Sequence, residues 1–381
     1  MSHRQLSKSI RLLSVVGARP NFMKIAPLAD ELKRHPLFQH CLVHTGQHYD
    51  DQLSGSFFSQ LGLPSPDVNL EVGSASHAVQ TAEIMKRIEP VLADYKPDAV
   101  LVVGDVNSTL AAALVATKLG IPVAHIEAGL RSFDKTMPEE INRRLTDTIS
   151  DFLFVTEQSG VDNLLREGAS ADNIFLVGNV MIDCLLHHRK LAAQSKLFEK
   201  LGLTLNGTSR QDYGVLTLHR PSNVDDRDVL HGILQAIRDV ACDFPVFFPV
   251  HPRTRKNIEQ FGLMELLARD SASANGIIPL DPLGYLDFLA LNDQARIVFT
   301  DSGGVQEETT VLGVPCLTLR NNTERPATIE CGTNHLTGVE PAQIVSTARR
   351  VLAGPRRLER RPPLWDGKAA QRIVEVLRAR L

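Results

Sequence analysis

No stretch of about 18 consecutive apolar residues occurs anywhere in the 381 positions of this chain, so the sequence offers no membrane-spanning helix. Its start, "MSHRQLSKSIRLLSVVGARP", is basic, but the apolar run is too short for a secretory leader and breaks at once into Gly-Ala-Arg-Pro. Cysteine is sparse. The five present (Cys41, Cys184, Cys242, Cys316, Cys331) are scattered without a Cys-x-x-Cys. That pattern argues against a disulfide framework and a zinc site, and it suits a reducing, cytoplasmic setting. No His/Cys/Asp set stands at metal-ligand spacing, so no metal is expected. Acids and bases nearly cancel: a formal net charge of −3 creates no field that would draw the chain to nucleic acid or to a membrane surface. The dinucleotide fingerprint G-x-G-x-x-G and the Walker phosphate loop are both missing, which leaves no signal for a redox cofactor or a P-loop nucleotidase.

What is present is an ordinary globular composition, 43% hydrophobic and 22% charged, long enough for two domains or one large one. Short β-rich runs alternate with helical patterns almost throughout. "IRLLSVV", "DAVLVVGD", "PVAHIEAG", "DFLFVT" and "NIFLVGN" fill the first half; "YGVLTLH", "FPVFFPVH", "GIIPL", "ARIVFTD" and "VPCLTLR" fill the second. Nearly continuous apolar strands joined by helices mean parallel sheets covered on both faces. So many strands favour two doubly wound α/β domains. The expected boundaries are 1–178 and 179–365, with a terminal helix, 366–381, that can pack back on the first domain.

Open α/β sheets bind ligands beyond the carboxyl ends of their strands, so the residues there come first. After the first strand, Arg19 and Lys24 fall at a helix start, where cations oppose the helix dipole unless an anion is present. Asp105 ends the strand 98–104, and Asn107 or Ser108 is placed to cap the helix that follows. Glu127 ends the adjacent strand, so Asp105 and Glu127 are expected to converge; His125 reads as a satisfied core histidine. Pro138 then opens a helix with Glu139 and Glu140, which complement its dipole. One of the two can also point into the same crevice. In the second half, His219 and His251 each lie just past a strand. Ser302-Gly303-Gly304 sits between a strand and a helix and offers free backbone N–H groups to a phosphate. Glu308, in the first turns of that helix, can accept from ribose hydroxyls, and Arg325 lies beyond the next strand.

Taken in order, "GARPNFMKIAPL", "TGQHYD", "VVGDVNST", "HIEAGLRSFDKTMPEEINR", "VGNVMID", "LTLHRPSNVD", "PLGYLDF" and "TDSGGVQEE…NNTERPATIECGTN" resemble the non-hydrolysing UDP-N-acetylglucosamine 2-epimerases, from about residue 10 to 338. The resemblance implies two Rossmann-like domains in the glycosyltransferase-B arrangement, a homodimer, a UDP-sugar substrate and no cofactor. It assigns Asp105, Glu127, Glu139 and His219 to catalysis or sugar contact, choosing Glu139 over Glu140. It assigns Arg19 and Lys24 to the nucleotide sugar, and Ser302, Gly303, Gly304, Glu308 and Arg325 to the nucleotide. Leu283 and Phe288 match positions near the uracil. Some relatives hold a second UDP-GlcNAc through a Gln-His pair with a further Gln. Here Gln47 and His48 are followed by Asp50, and no arginine stands in "EVGSASHAVQ", so simple hyperbolic kinetics are expected. A glycosyltransferase of the same architecture, a non-catalytic nucleotide-sugar module, a hydrolysing epimerase and an epimerase of a UDP-diacetamido-uronic acid are the alternatives.

Overall fold

In a computed structural model of the chain, which describes residues 9–46, 65–203, 212–268 and 275–381, the apolar runs become strands of two all-parallel sheets. The first sheet orders β3 (Val68–Asn69), β2 (Phe38–His44), β1 (Ile10–Val16), β4 (Ala99–Val103), β5 (Val123–Ala128), β6 (Phe152–Val155) and β7 (Ile174–Leu176). The second orders β10 (Gly276–Leu280), β9 (Pro245–Pro249), β8 (Gly214–Thr217), β11 (Ile297–Thr300), β12 (Cys316–Thr318) and β13 (Asn334–Leu336). Both follow the doubly wound order, in which the winding reverses between two central strands. The reversal lies between β1 and β4 in one sheet and between β8 and β11 in the other. The ends of these strands are where ligand chemistry is expected, and they carry Ala18, Asp105, His219 and Asp301.

The helices show why they dock. Residues Arg227–Val240 place Leu230, Ile233, Leu234, Ile237 and Val240 on one buried stripe, at three- and four-residue spacing. Asp226 caps the start, its Oδ1 accepting from the backbone N–H of Asp228 (2.9 Å) and Val229 (3.1 Å). That stripe meets Val246, Phe248, Phe299 and Leu317 in one continuous core. In the other sheet, the helix Asn107–Lys118 turns Ala112, Ala113 and Ala116 toward Val100 and Val102, and small side chains allow a close approach. Its capping differs from the expectation. Val106 is the N-cap and gives no side-chain bond, and Asn107 is already helical. The Asn107 amide instead donates to Gln80 (2.8 Å), and its Oδ1 accepts from Asn142 (3.2 Å), tying three helices together.

By contacts along the chain, residues 1–184 with 363–381 form one compact unit and residues 185–362 the other; the division falls inside the helix Val180–Ala192. The returning segment is built into the first unit. Trp365 is buried and donates its indole N–H to the carbonyl of Thr156 at 2.9 Å. The helix Ala369–Arg380 packs on the helix Arg19–Lys33, with Ile373, Val374 and Leu377 buried. Asp183 accepts from the backbone N–H of Ala369 (3.1 Å) and Ala370 (2.7 Å) and so caps this terminal helix. The backbone at Gly178 has φ +89°, and a Cβ there would stand 2.1 Å from the carbonyl oxygen of Leu364. No residue with a side chain fits under the returning segment there.

Candidate active site

In the first unit, Glu127 is the residue under most constraint. β5 bulges between Ile126 and Ala128, and Glu127 takes φ +76°, a left-handed conformation that costs a non-glycine about 1–3 kcal/mol. The kink turns a buried carboxylate toward the end of β4. There its Oε2 pairs with the Lys24 ammonium. Asn21 closes the same corner: it donates to the carbonyl of Val103 (3.0 Å), and its Oδ1 accepts from the backbone N–H of Ala18 (2.9 Å). Gly104 lies at the centre. A Cβ there would stand 3.2 Å from Lys24 Nζ, 3.3 Å from the Asn21 amide and 3.5 Å from Glu127 Oε2. The Lys24 charge is thus engaged by Glu127, a pairing that strand-end reading did not suggest. Arg19 is the first residue of its helix; its side chain lies outside the described part of the structure. Gln47, His48 and Asp50 also lie outside it.

Asp105, directly after Gly104, is partly exposed and pairs with the guanidinium of Arg143. Arg143 also holds Glu140 at 2.9 Å. The two acids at the helix start therefore differ completely. Glu140 is buried: it accepts from the backbone N–H of Ser132 (2.9 Å) and Phe133 (3.2 Å) and from the Ser132 hydroxyl (3.0 Å). It shapes the 131–133 loop. Glu139, half-buried beside it, has no hydrogen-bond or ion-pair partner among the described residues, so its carboxylate remains available. His125 is fully buried, with Nδ1 2.6 Å from Asp147 and Nε2 2.8 Å from the carbonyl of Gly104. Asp147 also accepts from Arg131 (2.7 Å) and from the backbone N–H of Gly129 (3.1 Å). Burial pushes the Asp147 carboxyl up, but His125 and Arg131 outweigh it and hold it below the ordinary range. This cluster anchors the backbone on both sides of the acids, at Gly104 and at Gly129.

In the second unit, His219 lies two residues past β8 with its ring partly exposed, and its Nδ1 lies 2.9 Å from Asp301. Ser302 is the N-cap of the helix Gly303–Leu312, and its backbone N–H donates to the Thr300 hydroxyl at 3.0 Å. A Cβ on Gly303 would come within 2.8 Å of Glu324 Oε1, whereas Gly304 faces open space. Glu324 is ringed by Arg320 (3.0 Å) and Arg220 (3.8 Å). Arg325 pairs with Glu307 at 2.7 Å. Three guanidinium groups, Arg220, Arg320 and Arg325, thus lie near this helix start, engaged by the buried carboxylates Glu324 and Glu307. Glu308 is buried in the same helix. Burial pushes its carboxyl up to about 7, the Tyr285 hydroxyl at 3.3 Å opposing. Tyr285 opens the helix Tyr285–Gln294, which carries Phe288; Leu283 precedes it, and both are half-buried. Sequence reading missed Asn21, Arg143, Tyr285 and Asp301. Two of them had a visible signal: Arg143 is four residues past Glu139 on one helix face, and Asp301 ends a strand.

The family model described as UDP-N-acetylglucosamine 2-epimerase matches residues 30–378. The chain belongs to this epimerase family. A UDP-N-acetylglucosamine 2-epimerase of Methanocaldococcus jannaschii is 43% identical over 371 residues, covering 97% of this chain and 99% of that protein. A UDP-2,3-diacetamido-2,3-dideoxy-D-glucuronate 2-epimerase of Pseudomonas aeruginosa is 40% identical over 373 residues, with 97% and 99% coverage. Among solved structures, the M. jannaschii UDP-GlcNAc 2-epimerase in complex with UDP-GlcNAc and UDP superposes with a TM-score of 0.85 at 41% identity, over 97% of this chain and 100% of that one. The two doubly wound units expected from the sequence are therefore the fold of a known enzyme family.

Proposed function

We propose that this epimerase interconverts UDP-GlcNAc and UDP-ManNAc by elimination and re-addition of UDP. The observation that carries the reading is the set of acids at the ends of β4 and β5, with one neighbouring acid, Glu139, left uncommitted. The C2 hydrogen of the sugar is hardly acidic, and elimination supplies the missing driving force. A base takes the C2 proton while the C1–O bond breaks and its electron pair leaves with UDP, giving a 2-acetamidoglucal. A phosphate oxygen of UDP then adds back to C1, and C2 receives a proton on the opposite face. No net oxidation occurs. Two faces require two sets of proton-transfer groups, which accounts for Asp105, Glu127, Glu139 and His219 together. Arg19, Arg325 and the Ser302–Gly304 turn grip the departing diphosphate. Glu308 serves the ribose, and Leu283 and Phe288 flank the uracil.

The product suits the supply of precursor for surface polysaccharide. A cytoplasmic homodimer completes the reading, and light scattering on the purified protein checks the dimer. Among the described residues no helix is long and apolar enough to cross a membrane. A second substrate, a UDP-diacetamido-uronic acid, is favoured by the 40% identity to the Pseudomonas aeruginosa 2-epimerase of such a sugar. NMR of products from a panel of UDP-sugars in D2O tests both at once. Inverted product carrying deuterium at C2 is expected. Product that keeps all its protium at C2 contradicts a base open to solvent, and no inverted product from any UDP-sugar sinks the assignment.

A further inference from the structure

β8 and β11 are neighbours in the second sheet; His219 lies two residues past the end of β8, and Asp301 directly follows β11. Asp301 is fully buried. Its carboxylate accepts the backbone N–H of His219 (3.0 and 3.2 Å), the backbone N–H of Arg220 (2.9 Å) and the side-chain amide of Asn223 (3.3 Å). The His219 Nδ1 meets the same group at 2.9 Å. Burial pushes the Asp301 carboxyl up, but His219 and the backbone donors outweigh it and hold it below the ordinary range. An ionised carboxylate only accepts, so the Nδ1 facing it must carry the proton. Main chain and ring of His219 are thus held by one anion, which sets both the rotamer and the tautomer. The ring is 42% exposed, and the His251 ring centroid is 6.4 Å away.

We propose that Asp301 is a positioning residue for His219, accepting its Nδ1 proton and presenting Nε2 as the nitrogen that exchanges a proton with the substrate. Asp301 also directly precedes the Ser302–Gly304 turn. The backbone that grips the leaving diphosphate and the acid that orients the proton carrier are then one rigid unit, and a shift in either moves the other. With the proton on Nδ1, the bare Nε2 is the nitrogen of the ring that can accept one. This role deepens the epimerase reading and rests on it for its meaning in catalysis.

Two measurements on the full-length enzyme test the role. In the first, two-bond ¹H–¹⁵N spectra of ¹⁵N-histidine-labelled protein are recorded where the ring is neutral, with His219 identified by its loss in His219→Gln. The Nδ1–H form is expected to dominate at His219, and a dominant Nε2–H form overturns the proposal. In the second, Asp301→Asn replaces the acceptor with an amide of equal size. A fall in kcat of about 10²-fold or more is expected, with KM changed by less than about threefold. Unchanged kcat in a folded Asp301→Asn protein also overturns it. Should that variant fail to fold, the wild-type tautomer decides alone. Absence of epimerisation by the wild type instead overturns the function and leaves the tautomer result standing.

Discussion

Two adjacent acids of one residue type behave oppositely because only one of them has donors within reach. Glu140 accepts from three donors on Ser132 and Phe133 and pairs with Arg143, while Glu139 has none of these. Glu139→Gln should therefore lower kcat by about 10²-fold or more with little change in stability. Glu140→Gln should cost about 1–3 kcal/mol of stability, because donors around a buried group lose a charged acceptor. Paired kcat values and urea midpoints check both, and normal turnover in Glu139→Gln would return that residue to a plain helix-start acid. Glu308 carries a pH prediction. Its carboxyl is pushed from 4.5 up to about 7 by burial. The folded state then holds the proton more tightly than the unfolded chain. The stability it contributes is complete below about 4.5 and is lost as pH rises through about 7, a difference on the order of 3 kcal/mol. Glu308→Gln cannot ionise and should lack this decline. Parallel pH profiles of the two urea midpoints would refute the assignment.

Among the elements, glycines mark where helices and strands touch. Gly129 follows the kinked end of β5 at φ +81°, and a Cβ there would lie 2.4 Å from the carbonyl oxygen of Gly160, in the helix Gln158–Arg166. Gly168 is also left-handed, at φ +90°, but a Cβ there meets nothing within 4 Å. Gly168→Ala should cost only its backbone strain, about 1 kcal/mol. Gly129→Ala adds a backbone clash and should cost about 3 kcal/mol or more. It should also lower kcat, since the helix must back away from the strand end that carries Glu127. Equal urea midpoints for the two variants would show that the close approach is not what Gly129 provides.

For the whole molecule, the last residues complete the first unit rather than trail from the second. Trp365, Ala370, Ile373, Val374 and Leu377 are buried there, and Asp183 caps the terminal helix. Fully burying Ile373, Val374 and Leu377 stabilises by about 1.5–3 kcal/mol each, which together with Trp365 is comparable to the roughly 5–15 kcal/mol net stability of a typical domain. A chain ending at Pro362 should lose the first unit, with the second still folding. Calorimetry of that truncation should show one remaining transition and proteolysis should remove residues 1–184 first. Two transitions at wild-type temperatures would mean the segment is dispensable.

The sequence alone determined the fold class, because buried parallel strands must be apolar on both faces and so stand out as runs. It also determined the family, through motifs clustered at the ends of those strands. It under-read the sheet margins: β2 carries exposed Gln39 and half-buried His40 among its apolar residues, and β13 has only three residues, so neither makes a run. Which polar groups are already satisfied was decided by the tertiary structure alone. Lys24 meets Glu127 across 103 residues, Arg143 meets Asp105 across 38, and His219 meets Asp301 across 82. Hydrogen-bond and charge valences are filled by neighbours in space. Local spacing can place an acid at a strand end, but only the folded chain shows whether another residue has already engaged it.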